Sequence, residues 1–254
     1  MDSQFDSVAR QFGANASSYL TSETHARGDD LEYLRNLGSR QPGLCVLDLG
    51  CGAGHVSFAL APFASRVVAY DLSQAMLDVV SRAAAEKGMA NIATRQGRVE
   101  TLPFADAEFE LVVCRYTTHH WNDVAAGLSE AYRVLRRGGR AIFIDVVSPE
   151  PALLNTHLQA VELLRDMSHA RNYSADEWRH MLAGCGFVAE GFQSWKLRME
   201  FASWVARIGT SLPRQNAIRI LFDEAPSEVL AHFGVEGDHS FTVDAAMFEA
   251  RRPA

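Results

Sequence analysis

Val46-Leu47-Asp48-Leu49-Gly50-Cys51-Gly52-Ala53-Gly54-His55 decides the reading of the chain. An apolar run breaks into three alternating glycines and then becomes amphipathic. The pattern predicts a buried parallel strand from Leu44 to Leu49, a tight loop, and a helix beginning near Gly54. Glycine serves where a backbone turns with positive φ or approaches a ligand closely. A strand end feeding a helix N-terminus predicts unpaired N–H groups facing a crevice, where a nucleotide-like ligand sits. Asp71 closes a second apolar strand, Val67-Val68-Ala69-Tyr70. It lies roughly 20 residues past the loop, the spacing at which an acidic side chain accepts hydrogen bonds from ribose hydroxyls.

The spacing of the glycines narrows the ligand. A dinucleotide loop reads G-x-G-x-x-G and seats a pyrophosphate on the helix N-terminus. Here the spacing is G-x-G-x-G, and His55 follows the last glycine. No Lys-Ser or Lys-Thr follows, so the stretch is not a P-loop. Asp48 at the strand end repels phosphate and attracts an ammonium. The ligand expected is a nucleoside carrying an amino acid, without phosphate. S-adenosylmethionine fits that description.

Composition narrows the class of protein. The 254 residues suffice for one large α/β domain or a domain with a lid. Hydrophobic residues make up 48% and charged residues 22%, ordinary for a globular protein. The net charge of −7 argues against nucleic acid or an anionic membrane as partner, since no basic stripe exists to neutralise phosphates. Met1-Asp2-Ser3-Gln4 is polar and acidic, unlike a signal peptide. No apolar run approaches the roughly 20 residues of a membrane span. Cys45, Cys51, Cys114 and Cys185 are scattered, with no C-x-x-C pair, so no metal is expected. The reading is a reduced, cytoplasmic protein, monomer or homodimer.

Working outward, Phe5, Val8, Phe12, Ala16 and Tyr19 suggest one amphipathic helix or two short pieces. Ser22 to Leu37 reads as a second helix with Ser22 as its cap. This N-terminal part, residues 1–39, either covers a sheet edge or covers the cofactor, with Tyr19 and His25 facing it. Ser73 caps a helix running to Lys87-Gly88. Asn91–Gln96 is a short strand, followed by the loop Gly97-Arg98-Val99-Glu100-Thr101-Leu102-Pro103-Phe104. Phe109–Cys114 is a fourth strand. Trp121-Asn122-Asp123 opens a helix expected to end at Arg136-Arg137-Gly138-Gly139. Ala141–Val147 is strand five. Strands alternating with helices predict a doubly wound, mostly parallel seven-stranded α/β sheet with its ligand at the strand carboxyl ends. From Pro149 the rhythm changes. Leu153–Met167 reads as a helix, and Ser174-Ala175-Asp176-Glu177 as a capping box. Phe187–Phe201 reads as one or two strands, Ala202–Ile208 and Arg214–Phe222 as helices, with a last strand between Ser240 and Ala250. The final two strands are expected to form an antiparallel edge, and the intervening helices a roof. Residues 1–254 are read as one domain, with 40–148 as its cofactor-binding core and 149–254 as sheet edge and substrate cap.

Together, Val46–Gly54, Asp71 with Ser73 and Met76, Leu102-Pro103-Phe104 before Phe109-Glu110-Leu111-Val112, His119-His120, and Glu130 through Arg133-Val134-Leu135-Arg136-Arg137-Gly138-Gly139 resemble the class I S-adenosylmethionine-dependent methyltransferases. The most similar group is methyltransferase type 11, near the ubiquinone/menaquinone C-methyltransferases. The resemblance spans about residues 40–148 and is looser on either side. It implies S-adenosylmethionine as cofactor, S-adenosylhomocysteine as product and a small-molecule acceptor. It implies that Gly50, Cys51, Gly52 and Gly54 line the methionine and ribose parts, and that Asp48 sits near the amino group. It implies Asp71 on the ribose hydroxyls and Leu72 and Met76 by the adenine. Arg98 departs from the family, which commonly has Asp there. Arginine only donates, so the expectations are Val99 N–H on the ring, Arg98 stacked on the base and Glu100 as the acceptor. Arg115 is a second unusual charge, expected to pair with Asp48 or with an acidic substrate.

Transfer of a methyl group from a sulfonium needs alignment and water exclusion, and a base only where the nucleophile loses a proton. His119 and His120 follow strand four on the ligand side and are the candidate bases; otherwise one packs and the other bonds to backbone. Adjacent histidines make a poor metal pair. Tyr19, His25, Tyr116, Arg171, Tyr173, Trp195 and Arg207 are candidate substrate contacts. His169, Phe201, Trp204 and Arg165 are weaker candidates for the same chamber. Carbon and oxygen acceptors both remain open, as does a non-catalytic module that senses the cofactor. A nicotinamide-dependent oxidoreductase is disfavoured by the missing third glycine of its loop.

Overall fold

The structure, a computed structural model, describes residues 3–20 and 28–254, and only the backbone along 13–20. The elements are α1 (Gln4–Leu20), α2 (Asp29–Arg40), β1 (Cys45–Leu49), α3 (His55–Leu60), β2 (Arg66–Asp71), α4 (Gln74–Glu86), β3 (Ile92–Gln96), β4 (Phe109–Arg115), α5 (Val124–Val134), β5 (Leu135–Ser148), α6 (Ala152–Arg165), β6 (Tyr173–Ser174), α7 (Ala175–Gly184), β7 (Val188–Met199), α8 (Phe201–Ala206), α9 (Leu212–Asp223), α10 (Ser227–Phe233) and β8 (Phe241–Arg251). The sheet order is β3-β2-β1-β4-β5-β8-β7, with two-residue β6 pairing beside β5. The first five strands are parallel, and β8 runs antiparallel between β5 and β7. This is the doubly wound sheet with an antiparallel edge that the alternation of strands and helices predicts.

Both sheet faces are covered, which is why the central strands are nearly continuous in apolar character. Leu47, Val68, Tyr70, Val112 and Phe143 face α5 and α7, through Leu128 and Trp178. Val46, Val67, Leu111 and Ile142 face the other way, onto Leu31, Leu34 and Leu37 of α2 and Val56 and Leu60 of α3. Each fully buried leucine contributes about 1.5–3 kcal/mol. A third cluster joins α6, α8, α9 and α10 through Leu158, Trp204, Ile218 and Val229, and roofs the carboxyl ends of β5 and β7 and the amino end of antiparallel β8.

Local signals account for several boundaries. Ser73 Oγ accepts from Met76 N–H, and Ser174 with Glu177 forms the reciprocal capping box. Two boundaries differ from expectation. The described part of α2 begins at Asp29, with Gly28 at φ 153° before it; Ser22 lies outside the described residues. The second difference is at β5, which starts at Leu135, so Arg136-Arg137-Gly138-Gly139 belongs to the strand and not to the helix end. The physical reason is Arg252, whose guanidinium bonds the carbonyls of Tyr132, Arg133 and Leu135 at 2.8–2.9 Å and closes α5 at Val134. Among the described residues, no helix is long and apolar enough to cross a membrane.

Candidate active site

The turn after β1 is built by backbone bonds. Gly50 and Cys51 N–H donate to Tyr70 O at 2.8 and 2.9 Å, and Gly52 N–H donates to Asp71 Oδ2 at 2.8 Å. These three donors are therefore used inside the protein, a correction to the expected row of unpaired N–H groups. Gly50 has φ 74°, and a Cβ there would stand 2.5 Å from Thr117. Gly54 has φ 85°, and its missing Cβ makes room for Val80 of α4. Gly54 thus sets helix packing and does not line the cleft.

A cleft of about 1020 Å³ opens at the carboxyl ends of β1, β2 and β4. Asp48, Gly50, Cys51, Gly52, Asp71, Leu72, Met76, Arg98, Val99, Glu100 and Arg115 all line it. Buried Asp48 accepts from Ser57 N–H (2.9 Å) and Oγ–H (2.7 Å) through one oxygen, leaving Oδ1 for a ligand. Burial pushes its pKa up to about 7, against the pull of the Ser57 bonds. Burial likewise raises Asp71, although Ser73 N–H and Gly52 N–H hold its carboxylate. The Cys51 thiol is driven well above its usual range by burial, so it is inert wall.

The loop after β3 is anchored from beneath. Tyr70 Oη donates to Arg98 O at 2.9 Å, and a Cβ on Gly97 would collide with that hydroxyl. Glu130 accepts from Leu102 N–H at 2.7 Å, while Arg133 bonds the carbonyls of Leu102 and Phe104. The Arg98 guanidinium lies over the Phe5 ring of α1, 3.8 Å from its centroid. This replaces the expected stacking on a base. Glu100 takes a long bond from Asp123 N–H at 3.4 Å through Oε1, and its buried Oε2 has no partner among the described residues. Arg115 also differs from expectation. It pairs with Asp30 of α2 at 2.6 Å and lies over the Tyr116 ring, rather than pairing with Asp48. Phe5, Val8 and Phe12 of α1 complete the lining, and Phe12 packs on Met76 and Val79.

A second cavity of about 640 Å³ adjoins the first, and Phe12, Tyr116 and His120 line both. Tyr116 has φ 53°, a left-handed conformation that costs energy for a residue with a Cβ. Burial raises its hydroxyl pKa. Trp195 lines neither cavity; in place of the expected substrate contact it packs, like Tyr116, against the core on the α2–α3 side of the sheet.

His119 lines the second cavity only. Its Nδ1 meets Asp145 Oδ1 at 2.6 Å, and Asp145 is fully buried. Burial opposes a charge on His119, but the Asp145 carboxylate outweighs it, and the pKa lies above the usual imidazole value. His120 is different. Burial and the neighbouring His119 lower it to about 4, and its Nδ1 lies 3.0 Å from Ser168 O. His169 is also pushed down, to about 2, chiefly by burial, and its Nε2 lies 3.1 Å from Gln159 Oε1. The three imidazoles pack together, with His119 4.3 Å from His120 and 5.6 Å from His169 between ring centroids. Among the described residues, no group of three or more His, Cys, Asp and Glu side chains is placed to hold a metal ion.

The other substrate candidates divide. Arg207, Trp204 and Arg165 line the second cavity. Arg165 donates to Trp204 O at 3.1 Å and faces Glu162 at 3.8 Å. Arg171 and Tyr173 line neither cavity: Arg171 is exposed and pairs with Glu177, and Tyr173 packs on the core. Phe201 belongs to the roof core. Tyr19's side chain and His25 lie outside the described residues. The residues missed were Asn172, Glu162, Met199 and Leu197, which no motif marks.

The first cavity suits a nucleoside bearing an amino acid. It offers carboxylates at Asp48 and Asp71, an orphaned carboxylate oxygen at Glu100, and open space beside the Cα of Gly52. Comparison with known proteins agrees. A family model described as a methyltransferase domain matches residues 47–143. The uncharacterized protein YafE of Escherichia coli (strain K12) is 45% identical over 81% of this chain and 99% of its own. The uncharacterized methyltransferase YcgJ of Bacillus subtilis (strain 168) is 34% identical over 85% of this chain and 86% of its own. The crystal structure of YcgJ superposes with a TM-score of 0.84 and 31% identity, over 88% of this chain and 98% of that one. A demethylmenaquinone methyltransferase of Lactococcus lactis is 34% identical over 48% of each chain. The chain therefore belongs to the class I S-adenosylmethionine-dependent methyltransferases, enzymes that take their methyl group from S-adenosylmethionine.

Proposed function

We propose that the first cavity holds S-adenosylmethionine, that the second holds a small-molecule acceptor, and that His119 takes the acceptor's proton. The observation that carries this reading is the shared wall: Phe12, Tyr116 and His120 line both cavities. The cofactor supplies a methyl group already activated on a sulfonium. The protein's part is then to align, to exclude water and to hold a proton.

Each residue's role follows from its chemistry. Asp71 accepts from the ribose hydroxyls while its loop bonds hold it still. Glu100 Oε2 accepts from the adenine amino group, the task Arg98 cannot perform, and Val99 N–H faces the ring. Asp48 takes the amino group. Leu72 and Met76 pack by the base. Phe5, Val8 and Phe12 make α1 a cover that keeps water out, latched by Arg98 on Phe5. With Nδ1 held by Asp145, the Nε2 of His119 is the open basic site. His119 accepts the proton as the acceptor atom bonds to the methyl carbon and the carbon–sulfur electron pair stays on sulfur, leaving S-adenosylhomocysteine. The net charge and the absence of a basic stripe support a small-molecule acceptor over nucleic acid. Four free thiols support a reducing compartment such as the cytoplasm.

Calorimetric titration with S-adenosylhomocysteine tests the cofactor half. The wild type binds, and Asp71→Ala weakens binding at least tenfold, about 1.4 kcal/mol. A folded wild type that binds neither S-adenosylmethionine nor S-adenosylhomocysteine overturns the reading.

A further inference from the structure

Two charged side chains of opposite sign face the second cavity from the end of α6. Glu162 and Arg165 stand three residues apart, on the same face of the helix, and both line the cavity. Their side chains are only 9% and 12% exposed, yet Arg165 Nη1 stops 3.8 Å from Glu162 Oε2, beyond hydrogen-bond reach. Among the described residues, the Glu162 carboxylate accepts no hydrogen bond, and the Arg165 guanidinium donates only through Nε, to Trp204 O at 3.1 Å. The unbonded atoms of the pair keep accessible surface, unlike the sealed amide nitrogen of Asn172. Burial raises the Glu162 carboxyl pKa, and Arg165 gives the largest opposing pull. Desolvated charges whose hydrogen bonds are unmade are costly, and native proteins keep few of them without a use.

The pair is held in this arrangement. The Arg165 guanidinium lies over the Trp204 ring, 5.0 Å from its centroid, so the ring and the Nε bond fix its plane. Thr210 Oγ1 donates to Arg165 O at 2.9 Å and ties this end of α6 to the link between α8 and α9. Asp166, the next residue, accepts from Ser168 N–H and Oγ at 2.8 and 2.6 Å and forms no hydrogen bond with Arg165. Of the other charged groups in the lining, His119 is matched by Asp145, and Arg207 adds positive charge. Val146, Leu197, Met199 and Trp204 supply an apolar wall.

Resting on the two-cavity reading above, we infer that Glu162 and Arg165 form a head-group subsite, and that the acceptor is a zwitterion of the α-amino-acid kind with an apolar body. Its carboxylate accepts from the Nη atoms of Arg165, whose planar fork suits a carboxylate. Its ammonium donates to Glu162, and its hydrocarbon part lies on Leu197, Met199 and Trp204. A ligand with one charge is poorly matched: a carboxylate alone is repelled by Glu162, and an ammonium alone by Arg165. A head group carrying both signs side by side meets an attractive partner at each end.

The test is equilibrium dialysis of three probes of one shape, L-phenylalanine, phenethylamine and 3-phenylpropionate, against the S-adenosylhomocysteine-loaded protein. Wild type is expected to bind L-phenylalanine at least tenfold more tightly than either singly charged probe. Arg165→Met should erase the preference over phenethylamine, and Glu162→Gln the preference over 3-phenylpropionate, both with unchanged affinity for S-adenosylhomocysteine. A wild type that binds the three alike, favours a singly charged probe or retains none of them overturns the inference. So do variants that take up S-adenosylhomocysteine and keep the wild-type ranking. Should either variant fail to fold, the ranking by wild type still decides. A wild type that fails to take up S-adenosylhomocysteine instead removes the reading on which the inference rests.

Discussion

Asp145→Asn isolates what the carboxylate does for His119. Asp145 Oδ1 accepts from Val146 N–H at 2.9 Å and meets His119 Nδ1 at 2.6 Å, while Oδ2 takes a weaker bond from His119 N–H at 3.2 Å. In the variant, the amide oxygen takes the Oδ1 position, where two donors converge, and the NH2 replaces Oδ2. The imidazole keeps its orientation but loses its counter-charge. A hydrogen bond to a charged group contributes about 1.5–3 kcal/mol and a neutral one about 0.5–1.5. The loss is therefore about 1–2 kcal/mol from the imidazolium, or roughly one pKa unit at 1.36 kcal/mol each. In the wild type the pKa stands above 6.5, with Glu162 and Asp166 adding to the pull of Asp145. In the variant, burial is opposed only by the weaker pull of Glu162 and Asp166. NMR titration of the imidazole should place His119 above 6.5 in the wild type and below it in Asp145→Asn. The linked stability has a definite sign. A raised histidine pKa stabilises the fold fully below the unfolded value of about 6.5, and the benefit is lost as pH rises through the folded value. Asp145→Asn should therefore lose more stability at pH 6 than at pH 8. A His119 pKa that moves by less than about half a unit in the variant would refute the argument from charge.

Two further outcomes follow from buried carboxylates. Asp48, with its pKa near 7, is about half protonated at neutral pH before a ligand arrives. A ligand ammonium expels that proton, so the heat of S-adenosylhomocysteine binding at pH 7 should depend on the ionisation enthalpy of the buffer; Asp48→Asn should remove the dependence, and a buffer-independent wild type would count against Asp48 as the amino-group site. The ion pair between Arg115 and Asp30 is buried on both sides, at 7% and 4% exposure. Asp30→Ala strips that carboxylate from a buried guanidinium and should cost about 3–5 kcal/mol. For a chain of this size that is roughly 6–20 °C in melting temperature; a loss under about 1 kcal/mol would show that the pair is solvated in solution.

The sheet was readable because burial on both faces writes strands such as Leu111–Val113 as unbroken apolar runs. Its caps were readable because Ser73 and Ser174 act on N–H groups three residues away. The start of β5 was not, because Arg252, far along the chain, ends the preceding helix. Likewise Arg98 and Arg115 stood out as charges, but their partners Phe5 and Asp30 come from N-terminal helices.

By itself, the sequence determined the order of strands and helices, the glycine turn and the acidic residues on the cofactor side, because those depend on local periodicity, local backbone conformation and short spacings. Tertiary structure alone decided the acceptor chamber. Its walls come from α1, the turn after β4, β5, α6, β7, α8 and the link at Asn172. Whether Arg171, Asn172 or Tyr173 faces the chamber depends on Gln159 clamping residue 172 and on Tyr173 pairing with Val147. Those contacts span many residues and are fixed only when the sheet edge and roof close together.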